Sequence, residues 1–140
     1  MRAVAVSLLT LMLASCSAAA ERALLTQFFA ASRLRDLTAL HDVATVVFEP
    51  ATDGTVRSFD LLSVDVTRAP GGEAVAKELS ISAPVRLPDG RTVVTTLVVT
   101  MQHGLPDSDQ RWGGWMITGI KAGPARGSSN GLGSPSTPRP

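Results

Sequence analysis

The chain has 140 residues, with 13 lysines and arginines against 12 aspartates and glutamates, for a formal net charge of +1. That length builds one hydrophobic core and not two, and the balanced charge excludes both the basic face that nucleic-acid binding needs and a charge-driven grip on anionic lipid. The single cysteine excludes an internal disulfide, so the folded part rests on its core alone.

The chain begins with Arg2, an apolar run from Ala3 to Ala14 broken only by Ser7 and Thr10, and small residues leading to Cys16. These are the three parts of a secretory signal peptide. The run is shorter than the ~20 apolar residues of a membrane-spanning helix. The order Leu13-Ala14-Ser15-Cys16 resembles the lipobox of bacterial lipoproteins. The resemblance implies removal of residues 1–15, a thioether-linked diacylglycerol on Cys16 and acylation of its new amino group. The membrane is then a partner through a lipid anchor, and two or more acyl chains make that attachment lasting. The other reading is ordinary secretion with cleavage near Ala18-Ala19-Ala20, which discards Cys16. Ser17 stands where, in lipoproteins of diderm bacteria, an aspartate retains the protein at the inner membrane. In a cell with two membranes this favours the outer one.

Residues 16–20 read as a short tether, and the domain as residues 21–121. Glu21 to Arg33 is expected to be a helix, with Leu24, Leu25, Phe28, Phe29 and Ser32 on one face. Asp36 is placed to cap a second helix from Leu37 to about Val43, with Leu37, Leu40 and Ala44 inward. Val46-Val47-Phe48 has β-branched character that Pro50 stops, and Asp53-Gly54 is a turn. One strand is expected from Thr55 to Val66. Val75 to Leu87 alternates, with Val75, Leu79, Ile81, Ala83, Val85 and Leu87 on one face and Glu78, Ser80, Ser82 and Arg86 on the other. Pro84 within it signals an edge or a bulge.

Pro88-Asp89-Gly90 is a hairpin turn, and Arg91 to Gln102 returns with Val93, Leu97, Val99 and Met101 on one face. The last strand, Trp112 to Lys121, should carry Trp115 and Ile117 on one side and Met116 and Ile120 on the other. Trp112 and Trp115, three apart in a strand, should face opposite sides, with Trp115 in the core. Residues 122–140 are rich in Gly, Pro and Ser, a composition that predicts a disordered tail.

The fold class is therefore α+β, with N-terminal helices on an antiparallel sheet. An inner-face Phe28-Phe29, the step through Asp36 into a short helix carrying Leu40, and long strands ending in Trp115-Met116-Ile117 are together similar to the nuclear transport factor two-like (cystatin-like) fold. That resemblance implies a curved, cone-like sheet wrapped around the helices. It also implies relatives that include isomerases, dehydratases and envelope lipoproteins, so it carries fold and not function.

The isomerase-like members use a carboxylate base with a tyrosine donor, and this chain has no tyrosine. Asp60 and Asp65 could point into a cone, but a strand aspartate usually lies on the wet face. His41 and Asp42 are adjacent and diverge by about 100° on a helix. His41 and His103 fall short of a three-ligand metal set. There is no Gly-x-Ser-x-Gly elbow, phosphate loop or dinucleotide fingerprint.

No residue is assigned a catalytic, metal or cofactor role, and Cys16 is the one assigned site, for lipidation. The reading is a membrane-anchored envelope lipoprotein whose small non-enzymatic domain binds an envelope protein or a small apolar ligand. The alternative is an isomerase-like or dehydratase-like enzyme acting on a small hydrophobic substrate.

Overall fold

Leu24, Leu25, Phe28, Phe29 and Ser32 form a stripe along one helix, and all five are buried against a curled antiparallel sheet. The structure, a computed structural model, describes the backbone of residues 4–106 and 110–124 and the side chains of residues 18–106 and 111–124. Within these residues the elements are α1 (Val4–Leu34), α2 (Leu37–His41), β1 (Thr55–Val56), β2 (Asp60–Arg68), β3 (Ala74–Arg86), β4 (Thr92–His103) and β5 (Trp115–Ala122). A 3-10 turn, Gln110–Trp112, precedes β5. The protein is an α+β domain with its two helices packed on a half-barrel sheet.

Helix α1 does not begin at Glu21. It continues upstream through residues 16–20, expected as a tether, in keeping with the absence of Gly and Pro and the helix-forming Ala18-Ala19-Ala20. No described helix is long and apolar enough to cross a membrane. The C-terminal end of α1 is closed by Arg35 at φ 53°, with Asp36 N–H donating to the Ala31 carbonyl at 3.0 Å and Arg35 N–H to that of Ser32 at 3.2 Å. This is the usual helix-ending pair of reversed hydrogen bonds, with an arginine where glycine is favoured. Asp36 then caps α2, its Oδ1 accepting from Ala39 N–H at 3.0 Å. Helix α2 ends at His41, two residues short of the expected Val43. Leu40 and Ala44 are buried, but Leu37 lies 70% exposed because α2 packs on its far side only.

The sheet runs in the order β1-β3-β4-β5, with β2 pairing along the same edge of β3 as β1. The single strand expected from Thr55 to Val66 is thus two pieces. The chain leaves the sheet at Arg57–Phe59, and Phe59 turns towards Phe29, ring centres 5.9 Å apart. Pro84 faces this gap: β2 pairs with β3 up to Ser82 and β1 resumes at Val85. On that side a residue without an N–H forfeits no ladder bond, so the proline sits in a central strand at no cost there. Val46-Val47-Phe48 forms no strand. Instead, segment 43–45 docks on β5, with Thr45 N–H donating to the Ile117 carbonyl and Ile117 N–H to that of Val43, both at 2.9 Å.

The β3–β4 hairpin closes as expected, with Gly90 at φ 89° and Leu87 N–H donating to the Arg91 carbonyl at 2.7 Å. The backbone N–H of Arg91, and then its guanidinium, hold the Asp89 carboxyl below the usual carboxylate range. All four phenylalanines meet around Phe29, which is edge-on to Phe28 at 5.2 Å and to Phe48 at 5.7 Å. Leu25, Leu79, Ile81, Val99, Met101 and Ile117 complete the core, and each large side chain removed from water contributes ~1.5–3 kcal/mol.

Strand β5 is bulged against β4, with Met101 opposite Ile117 and Thr100 opposite Gly119. The extra residue, Thr118, resets the alternation. Ile117 and Ile120 therefore face Met101 and Val99 on the same inner side, not on opposite faces. The strand ends at Ala122, inside the segment expected as tail, and residues 125–140 lie outside the described residues.

Candidate functional site

Lys77 occupies an inward position of β3, in line with Leu79, Ile81, Ala83 and Val85, all of which are buried. A charge in that row needs a partner. Glu21 supplies it from α1, its Oε1 2.5 Å from Lys77 Nζ. The two side chains are 2% (Glu21) and 14% (Lys77) exposed, so most of both lies out of water. On another side the ammonium sits over the Trp115 ring, 4.3 Å from its centre. An aromatic face and a carboxylate together hold one cation.

Trp115 is half-buried and not packed through, because its ring forms a wall instead of filling the core. It faces His103 across the β4–β5 ladder, ring centres 5.2 Å apart. His103 Nε2 lies 3.0 Å from the Gly113 carbonyl, and since a carbonyl only accepts, Nε2 carries the hydrogen. Gly113 and Gly114 both have positive φ, and a Cβ on Gly114 would come within 3.1 Å of His103 Nε2. The glycine pair thus makes the turn and leaves room for the histidine.

These groups border a cavity of about 410 Å³, within the ~300–1,000 Å³ of small-molecule sites. Its lining comes from α1 (Ala20, Glu21, Leu24), the sheet (Lys77, Met101, Trp115) and the segment before β5 (Arg111, Trp112, Gly113). Both tryptophans of the chain are there. The expectation that they face opposite sides fails because Trp112 belongs to the 3-10 turn, and the Gly113-Gly114 turn brings it round to the same wall. Two other clefts, of about 480 and 390 Å³, lie beside α2 and at the Val93 end of the sheet. Neither holds the paired charges.

Asp60 and Asp65 lie exposed on the outer face of β2, opposite Ser82 and Glu78, away from the cavity. His41 is exposed at the end of α2, beside a different cleft from the one that His103 flanks. Among the described residues no group of three or more His, Cys, Asp or Glu is placed to hold a metal. The side chain of Cys16 lies outside the described residues.

Sequence reasoning missed Glu21, Lys77 and Arg111. Two signals were present. Lys77 interrupts the apolar side of an alternating strand, and Glu21 stands three and four residues before Leu24 and Leu25, on the face that becomes buried. Arg111 gave none, since its position depends on the turn.

No family model, curated protein or solved structure matches the chain.

Proposed function

We propose that the chain is a lipid-anchored protein of the cell envelope whose domain is a non-enzymatic binding module, with its ligand site in the cavity of Glu21, Lys77 and the two tryptophans. The observation that carries this reading is the cavity's place on α1. Glu21 lines it and lies five residues beyond Cys16 on the same helix, about 8 Å along the axis at ~1.5 Å per residue. In a mature chain that starts at Cys16, the acyl chains leave the domain beside the cavity mouth, so the site faces the membrane. The curled sheet with helices across its inner side supports kinship with the nuclear transport factor two-like fold.

One observation favours the enzyme alternative: the Glu21 carboxylate lines the cavity, where a general base would stand. The Lys77 ammonium already engages it, and binding remains the better reading.

The anchor is tested by growing cells with a radioactive fatty acid. The wild-type chain takes up label, whereas Cys16→Ser takes up none and accumulates as unprocessed precursor. Label retained in the variant, or absent from the wild type, overturns the reading.

A further inference from the structure

We propose that the open edge of β5 takes up an extended strand of a partner protein, one that carries an acidic residue between two apolar ones. This surface is separate from the tryptophan-lined cavity. Segment 43–45 covers only the first half of the outer edge of β5, ending at the bond from Thr45 N–H to the Ile117 carbonyl. Beyond the Thr118 bulge no described strand lies on that side. Gly123 N–H donates to the Thr96 carbonyl at 2.7 Å, which fixes the groups left bare. Hydrogen-bonded and non-hydrogen-bonded pairs alternate along an antiparallel ladder. Lys121 and Gly119 therefore bond to β4. The N–H and C=O of Ile120 and Ala122 point away from it and have no partner among the described residues.

The chain departs from β5 at Val46, and the main chain of Val46, Val47 and Phe48 also makes no hydrogen bond among the described residues. A cleft of about 390 Å³ separates the two stretches, with Ile120 and Ala122 on one side and Val47 and Phe48 on the other. Leu87 and Val93 also line it, and Val93 and Val47 are 43% and 50% exposed. Bare main-chain groups beside wet apolar surface are what strand addition uses. The ladder supplies affinity, and the places for alternate side chains supply selectivity.

The chemistry of the partner follows from the side chains of β5. Ile120 packs on the core, and Ala122 shares its face. Lys121, between them, is exposed on the outer face and belongs to no ion pair among the described residues. Residues opposite Ile120 and Ala122 turn inward over Val93, where apolar side chains fit. The residue opposite Lys121 turns outward, where a carboxylate is its match. Two other occupants fit less well. A second copy, pairing through Ile120 and Ala122 of both chains, sets the two Lys121 ammoniums opposite each other. Residues 125–140 contain no Asp or Glu.

The probe is the fluorescently labelled peptide Ser-Thr-Val-Glu-Val-Thr-Ser, titrated by anisotropy against the full chain in dodecyl maltoside. Saturable binding is expected, at least about fivefold tighter than for the same peptide with Lys in place of Glu. N-methylation of the three central residues removes their N–H groups, keeps their side chains and should abolish binding. Lys121→Glu, at an exposed position, should reverse the preference between the two peptides. Ala122→Pro removes one outward N–H and no bond to β4, and should weaken binding about fivefold. Absence of saturable binding, equal binding of the N-methylated peptide, a charge preference that Lys121→Glu leaves in place, or an affinity unchanged within twofold in Ala122→Pro overturns the proposal. So does a dimer, seen by light scattering, that the peptide dissociates, which assigns the edge to a second copy. Binding more than tenfold tighter in Leu132→Ser overturns it too and assigns the edge to the chain's own C-terminal residues.

Discussion

Removing the Lys77 ammonium should cost far more than its single ion pair suggests. In Lys77→Met the apolar stem is kept, but the Glu21 carboxylate stays in place at 2% side-chain exposure without that ammonium. Breaking a buried pair from one side costs ~3–5 kcal/mol, because the remaining charge loses that ammonium and gains no water in its place. Against a total of ~5–15 kcal/mol for a domain of this size, the variant is close to its limit. Glu21→Gln should be milder, at ~1–3 kcal/mol. The remaining ammonium keeps the Trp115 face, is the more exposed of the two, and can shift its head towards water on a flexible stem.

Replacing both, as Glu21→Gln with Lys77→Met, removes the charges together and should recover most of the loss. Urea denaturation of the four proteins gives the coupling directly. A cost for Lys77→Met below about 1 kcal/mol, or single losses that add in the double variant to within about 0.5 kcal/mol, refutes the buried-pair reasoning.

Gly54 at φ 89° would bring a Cβ within 2.5 Å of the Arg86 carbonyl oxygen, whereas Gly72, also at φ 89°, meets nothing within 4 Å. Gly72→Ala should therefore cost only the backbone strain of ~1–2 kcal/mol, and Gly54→Ala distinctly more; equal losses in thermal unfolding would show that the close approach is relieved without cost. Arg35→Gly should stabilise the domain by about 0.5–1 kcal/mol, because an arginine at φ 53° is strained. Its ion pair with Glu49, at 3.7 Å and largely exposed, gives little back. A lower melting temperature for Arg35→Gly contradicts this.

The fold was legible wherever a periodic pattern was long enough to bury a face. The Leu24-to-Ser32 stripe, the Asp36 cap and the alternation from Leu79 to Val85 all lie where their spacing puts them. What could not be read was the effect of single-residue shifts. The bulge at Thr118 moved Ile120 to the inner face, and the Gly113-Gly114 turn swung Trp112 onto the cavity wall. Both depend on pairing with a distant strand, which local alternation cannot reveal. The break between β1 and β2 has the same origin, since Phe59 leaves the ladder for the rings around Phe29. The site was half visible: Lys77 and Glu21 each break an apolar pattern, but only the fold shows that they break it at the same place.

The central claim, that an anchored domain presents its tryptophan-lined cavity to the membrane, is tested most directly by fluorescence quenching from lipid. The processed protein is placed in phosphatidylcholine vesicles bearing a spin label at the headgroup, and emission from Trp112 and Trp115 is followed. The account predicts strong quenching of the wild type and little of the Cys16→Ser chain added to the same vesicles. Unquenched emission from the vesicle-bound wild type, or equal quenching of both proteins, would contradict it.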